Sequence, residues 1–128
     1  MQSAFAIHLP CDEKISWRAR SEVARRLNGT PAEWTSDYEL LLSELVTNGY
    51  EHGRPDEHGH IELRVAAAPE RLRVEVLDCG DGFEFDTRRP EPDADASFGL
   101  FLVESMSDRW GVDVAEGRTC VWFELAPA

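Results

Sequence analysis

Two polar side chains that could do chemistry together, Glu44 and Asn48, lie four residues apart in the segment LLSELVTNGYEHG, residues 41–53. In a helix this spacing places them one turn apart on the same face. Leu41 and Leu45 would flank them, so the pair would border the core. A carboxylate there could act as a general base, and an amide oxygen could bind Mg²⁺. By themselves, these residues favour a solvated polar stripe or an intrahelical hydrogen bond.

A second candidate, Asp78, ends the segment RLRVEVLD and precedes CGDGF. Alternation of apolar and charged residues predicts a strand, and in that register Asp78 points inward. A buried carboxylate needs a partner, and one at a strand end could accept a hydrogen bond from an exocyclic amine such as that of adenine. Gly80 and Gly82 would let the backbone pass close to a ligand. A turn whose aspartate caps local backbone amides fits these residues equally well.

Two weaker signals lie nearer the C-terminus. Gly99 begins a predicted helix, residues 99–109, whose first turn has no acidic side chain, so its free N–H groups could bind an anion. An ordinary amphipathic helix with Leu100 in the core explains the same pattern. Thr119 shares the apolar face of the last predicted strand, where its hydroxyl would need a partner such as water or a ligand. A plain strand residue is the simpler interpretation of Thr119.

The elements that must position these residues follow from apolar periodicity and turn residues. The sequence predicts an edge strand over 3–9, a helix over 12–28 capped by Asp12, a helical region from Pro31 to His52, strands over 60–68 and 71–78, a long loop over 79–97, the helix over 99–109, and a closing hairpin turned at Glu116-Gly117. The order βααββαββ favours an α+β fold, a two-layer α/β sandwich with helices on one face of a mixed, mostly antiparallel sheet.

The composition excludes several classes of function. The chain of 128 residues fits a single domain, and its net charge of −12 argues against direct binding to nucleic acid, because phosphate backbones would be repelled. No apolar run approaches the roughly 20 residues that span a bilayer, and no secretory signal is evident, so we expect no membrane partner. The three widely spaced cysteines predict free, mostly buried thiols in a reducing cytoplasm.

Taken in order, the four motifs resemble the boxes of the histidine-kinase-like (GHKL) ATPase superfamily. ELVTNGYEHG is similar to its N box, DCGDGF to its first glycine box, SFGLFLVESMSDRWGV to its second, and GRTCVWFEL to its terminal threonine box. The resemblance covers nearly the whole chain and implies a single ATP-binding domain of the Bergerat type over residues 1–128. The short chain is most similar to anti-sigma factor serine/threonine kinases, particularly the small actinobacterial type.

For the phosphate end of a bound ATP, the resemblance implies four residues. Glu44 would be the catalytic base that polarises an attacking hydroxyl or water, and Asn48 would bind the Mg²⁺ that accompanies ATP. Gly99, with Leu100 behind it, would present helix N–H groups to the phosphates.

For the base end, the resemblance implies that Asp78 accepts a hydrogen bond from the adenine amino group. Gly80 and Gly82 would let the ring and ribose approach, and Thr119 would support adenine directly or through water. Residues 84–97 would form a lid over ATP.

The resemblance also implies partners: a sigma factor held inactive by direct binding, an antagonist protein phosphorylated on serine, and a second copy of the chain. The alternative is a non-catalytic ATP-binding or nucleotide-free protein-interaction module of the same fold. Ser97, where the family usually has glycine, and the acidic lid motivate that alternative. A detached ATPase half of a sensor histidine kinase is less favoured, because the chain contains no phosphoacceptor helix pair.

Overall fold

The computed structural model describes residues 3–27, 37–80 and 99–127. Within these ranges the elements follow one another in the predicted order βααββαββ. The helices are α1 (Ile15–Arg26), α2 (Asp37–His52) and α3 (Gly99–Met106), and the strands are β1 (Ser3–Pro10), β2 (His60–Ala68), β3 (Arg71–Asp78), β4 (Arg109–Ala115) and β5 (Arg118–Leu125).

The strands form one sheet in the order β1-β2-β3-β5-β4, with β1 at an edge as predicted. All four pairings between described strands are antiparallel, which confirms the α+β class. The sheet was predicted to be mostly antiparallel, and its described pairings are all of that kind. β5 lies between two strands in the sheet. One is β4, which directly precedes it in the chain, and the other is β3, which is separated from it in the chain by α3 and β4. This arrangement places Asp78, the last residue of β3, directly opposite Thr119 near the start of β5.

The core lies between the helices and one face of the sheet. Along β3, Leu72, Val74 and Val76 are at most 2% exposed, as their alternation with charged residues predicted. The apolar sides of α1 and α2 complete this core, with Leu42 and Leu45 of α2 fully buried. Burial of this apolar surface is what holds the helical layer on the sheet.

α1 and α2 pack side by side through polar contacts as well as apolar ones. Ser16 Oγ lies 2.7 Å from Thr47 Oγ1, and the Arg20 guanidinium donates a hydrogen bond to Ser43 Oγ at 2.8 Å. The two helices are antiparallel, because the later residue of α1 contacts the earlier residue of α2. α1 therefore occupies the flank of α2 that carries Ser43 and Thr47.

The prediction that α1 begins near residue 12 was wrong. The Asp12 carboxylate accepts a hydrogen bond from the Lys14 N–H at 2.9 Å, and the Asp12 carbonyl accepts one from the Ile15 N–H at 3.1 Å. These bonds form a turn that precedes the helix, so Asp12 caps the turn, and the first turn of α1 contains no acidic residue. The predicted end of this helix at Asn28-Gly29 and the start of the next at Pro31 lie outside the described residues.

The prediction that the third helix reaches residue 109 was also wrong, because α3 ends at Met106. Arg109 already pairs with Glu124 in the sheet, and the Asp108 N–H donates to the Glu124 carbonyl at 2.9 Å. The closing hairpin turns at Glu116 and Gly117 as predicted, with φ values of 51° and 75°. Two consecutive left-handed residues make the kind of turn that matches the twist of paired strands.

The cysteines are free thiols, as expected, but they are less buried than the sequence suggested. Cys11 and Cys120 are half-buried, and Cys79 is exposed because it follows the end of β3. Burial, reinforced by the nearby Glu75 and Asp113 carboxylates, raises the pKa of the Cys120 thiol to about 11. None of the described helices has both the length and the apolar character needed to cross a membrane.

The face of the sheet away from the helices carries a charged network around Glu124, which is only 5% exposed. Its Oε2 accepts a hydrogen bond from Arg73 at 2.8 Å, and its Oε1 lies 3.5 Å from nitrogens of Arg71 and Arg109. The Arg73 guanidinium also lies 4.1 Å from the centroid of the Trp122 ring. A buried carboxylate is tolerated here because cations surround it.

Gly111 on β4 leaves the room that the Trp122 indole occupies, since a Cβ at residue 111 would lie 2.7 Å from Trp122 Cζ2. We expect Gly111→Ala to lower the free energy of unfolding by about 1–3 kcal/mol, because the indole must move from its place under Arg73. Urea denaturation measures this loss. An equal loss in a Trp122→Leu background, where the ring is absent, would show that the indole does not limit this position.

Candidate functional site

The Asp78 carboxylate lies at the centre of the candidate site and is 2% exposed, so the predicted inward orientation is confirmed. Its Oδ1 accepts hydrogen bonds from the Gly80 N–H at 2.7 Å and the Arg54 N–H at 3.3 Å. The local-capping interpretation therefore holds for Oδ1. Oδ2 accepts no hydrogen bond from another residue in the described ranges, so its lone pairs can accept from a donor on a ligand.

Gly53, immediately after α2, makes room for this carboxylate. A Cβ at residue 53 would lie 2.6 Å from Asp78 Oδ2 and 2.7 Å from the Gly49 carbonyl oxygen. Any side chain at this position would displace either the carboxylate or the end of the helix. The sequence predicted a helix that ends at His52, just before Gly53, but not this close approach, which depends on how α2 crosses β3.

α2 also approaches the sheet closely one turn earlier. A Cβ at Gly49 would lie 3.1 Å from Val76 Cγ1 and 3.2 Å from Ile61 Cδ1, which is tighter than ordinary contact. Glycine inside a helix costs about 1 kcal/mol relative to alanine. In this chain, the glycine lets α2 pack closely on β2 and β3, and the helix then ends over Asp78.

Thr119 is fully buried opposite Asp78, as its place on the apolar face of β5 predicted. Its hydroxyl donates a hydrogen bond to the Gly80 carbonyl at 3.0 Å. The partner is therefore a backbone carbonyl, where the sequence had suggested water or a ligand. Gly80 is held from both sides, by Asp78 at its N–H and by Thr119 at its carbonyl, so these three residues form one ordered turn.

Glu44 and Asn48 lie half-buried on α2, one turn apart, as predicted. Successive helix residues are rotated by about 100°, so this pair is turned by that angle from Ser43 and Thr47, which contact α1. The Asn48 side chain makes no hydrogen bond within the described part of the chain. Its amide oxygen is consequently available to a ligand or an ion.

The donor set around Asn48 suits magnesium carried by a nucleotide. Among the described residues, no three His, Cys, Asp or Glu side chains converge into a metal cage. Mg²⁺ usually retains waters and phosphate oxygens and takes only one or two ligands from the protein. One amide oxygen with a carboxylate one turn away, on Glu44, fits that mode of binding.

Gly99 is the first residue of α3, and the first turn of that helix has no acidic side chain, as predicted. Leu100 is 4% exposed and anchors the start of the helix in the core. α3 packs against α2, and its C-terminal end leads to the end of β5 that is remote from Thr119. Gly82 and the predicted lid, residues 84–97, lie outside the described ranges.

The structure thus joins Asp78, Gly80 and Thr119 by hydrogen bonds and brings the end of α2 onto them. Glu44 and Asn48 lie half-buried one turn apart on the same helix. Sequence reasoning missed Gly53 and Arg54, which contact Asp78 from the segment after α2. The glycine itself was a signal, but its role required the position of β3.

Comparison with known proteins assigns this arrangement to a family. Residues 15–125 match the family described as histidine kinase-like ATPase domain. Serine-protein kinase RsbW of Bacillus subtilis (strain 168) is 31% identical over 111 residues, covering 77% of this chain and 69% of that protein. Serine-protein kinase RsbW of Listeria monocytogenes serovar 1/2a is 30% identical over 105 residues, covering 73% and 67%.

A crystal structure of the RsbU and RsbW domains of a Mycobacterium tuberculosis protein has the same fold, with a TM-score of 0.70 at 19% sequence identity. The match covers 98% of this chain but 32% of that one, so this chain spans about a third of that longer protein. The family match covers residues 15–125, and the two kinases are 31% and 30% identical to this chain. The chain therefore belongs to the histidine kinase-like ATPase family.

Proposed function

We propose that this protein is a cytoplasmic, ATP- and Mg²⁺-dependent serine/threonine kinase of the anti-sigma type. The observation that carries the proposal is the buried Asp78 carboxylate, with Oδ1 held by two backbone amides and Oδ2 left for a ligand. The relatives named serine-protein kinase support phosphotransfer as the activity.

At the base end of the site, Asp78 Oδ2 would accept a hydrogen bond from the exocyclic amine of adenine. The Thr119 hydroxyl already donates to Gly80, so its oxygen lone pairs would accept from the base or from a bridging water. Gly80 and Gly82, which have no side chains, would let the ring and ribose approach the backbone. Adenine is favoured over guanine because only adenine offers an amine donor at this position.

At the phosphate end, Asn48 would hold Mg²⁺ through its amide oxygen, and the N–H groups at the start of α3, from Gly99 onward, would meet phosphate oxygens. Leu100 supports that end of the helix from the core. When bound, Mg²⁺ would supply positive charge against the phosphates, which matters in a chain whose net charge is −12.

Glu44 would act as the general base. As the serine oxygen of the protein substrate bonds to the γ-phosphorus, its proton passes to the Glu44 carboxylate. The bond from the γ-phosphorus to the bridging oxygen breaks, and ADP leaves with that oxygen. Glu44 is half-buried and lies one helical turn from Asn48, the residue proposed to hold Mg²⁺.

The proposed protein partners are a sigma factor, which the kinase would hold inactive by direct binding, and an antagonist that carries the phosphorylated serine. Homodimerisation is a further proposal from the family resemblance. If ATP binds and no phosphotransfer occurs, the protein is instead a non-catalytic module of the same fold.

Calorimetric titration with ATP tests the nucleotide site. We expect Mg²⁺-dependent binding to the wild type and at least about 10-fold weaker binding to Asp78→Asn, because the introduced NH₂ group cannot accept from adenine. The asparagine carbonyl can still cap Gly80, so the fold should persist. Asp56→Asn is the matched control, since Asp56 also caps two amides, those of His58 and His60, through one carboxylate oxygen. No ATP binding to the wild type at millimolar concentration would contradict the proposal.

Glu44→Gln tests the base. We expect phosphotransfer to the antagonist serine to fall by about 10²–10⁴-fold, because the amide cannot take up the proton, with ATP affinity nearly unchanged. Mass spectrometry of the phosphoserine product measures the rate. Glu51→Gln, an exposed position farther along α2, is the control and should transfer normally. Wild-type rates for Glu44→Gln would remove Glu44 from the mechanism.

A further inference from the structure

The backbone of Arg54 is fixed against the candidate site from two sides. Its N–H donates to Asp78 Oδ1 at 3.3 Å, and its carbonyl accepts a hydrogen bond from the Cys79 N–H at 2.8 Å. The residue itself is exposed. The backbone of Arg54 is therefore fixed beside the carboxylate that would receive the base, and its side chain is open to solvent.

Gly80 lies next to the root of the Arg54 side chain. A Cβ at residue 80 would lie 3.0 Å from Asp78 Oδ1 and 3.7 Å from Arg54 Cβ. The space beside Gly80 is therefore bordered by the Asp78 carboxylate and by the root of the Arg54 side chain. No other cationic side chain is placed at this position by the contacts of the described residues.

Arg54 also differs from the other described arginines in its bonding. Its guanidinium makes no ion pair or hydrogen bond within the described ranges, whereas Arg20 donates to Ser43. The remaining described arginines all form ion pairs with carboxylates: Arg18, Arg25, Arg26, Arg64, Arg71, Arg73, Arg109 and Arg118. A guanidinium without a carboxylate partner is free to donate paired hydrogen bonds to a phosphate.

We propose that Arg54 is a nucleotide-binding residue that contacts the α-phosphate, an inference that rests on the proposed ATP site. With the base at Asp78, the α-phosphate is the first charged group beyond the ribose, and Arg54 lies beside Asp78. Glu44 and Asp78 make the site acidic, and the chain carries a net charge of −12, so a phosphate entering here needs a local cation.

The test compares AMP with adenosine, which differ by the α-phosphate alone, in NMR titrations that measure millimolar affinities. For Arg54→Ala we expect AMP to bind about 10-fold more weakly, since a charge-assisted contact is lost, while adenosine changes by less than about 2-fold. Arg54→Lys should retain most of the AMP affinity. Arg109→Ala removes the same charge at the opposite end of the sheet and should leave both affinities unchanged.

Unchanged AMP affinity in Arg54→Ala would overturn the inference while leaving the ATP site intact. An equal loss for adenosine would also overturn it, because Arg54 would then act on the base or on the Asp78 turn. A wild type that binds neither AMP nor ATP would remove the proposed function together with this inference.

Discussion

Burying a carboxylate at the end of β3 requires polar groups to replace its lost water, and this requirement governs the structure around Asp78. Two backbone amides meet one carboxylate oxygen, and each belongs to a different segment of the chain, one after α2 and one after β3. Bringing the first segment close enough leaves no space for a side chain at Gly53. The second segment is held in turn by the Thr119 hydroxyl, which links β5 to the same point.

The position of α2 follows from the same constraint. The helix lies close to the sheet at Gly49 and ends over Asp78, while Ser43 and Thr47 contact α1 and Glu44 and Asn48 lie about 100° further round the helix. A single helix thereby serves both ends of the proposed nucleotide. Its C-terminal end shapes the base site, and its flank provides the groups proposed for magnesium and proton transfer.

Much of this arrangement could be predicted from local patterns. Period-two alternation reports which strand residues are buried, so the inward orientation of Asp78 and Thr119 followed from β3 and β5 separately. Helix ends were less predictable, because the predicted helices began at Asp12 and ended at Arg109, where a turn and a strand pairing decide the structure. The partner of the Thr119 hydroxyl and the roles of Gly53 and Arg54 depend on contacts between distant segments, which no local pattern contains.

The measurement that tests the central claim most directly is a titration of the nitrogen-15-labelled protein with ATP and Mg²⁺, followed by two-dimensional NMR. The amides of Arg54 and Gly80 donate to the Asp78 carboxylate, so they report on any ligand that bonds to it. If Asp78 recognises adenine, the signals of these two amides should be among those that shift most. Further shifts are expected for the residues around Glu44 and Asn48 on α2. Shifts confined to the outer face of the sheet around Glu124, or no shifts at all, would contradict the account.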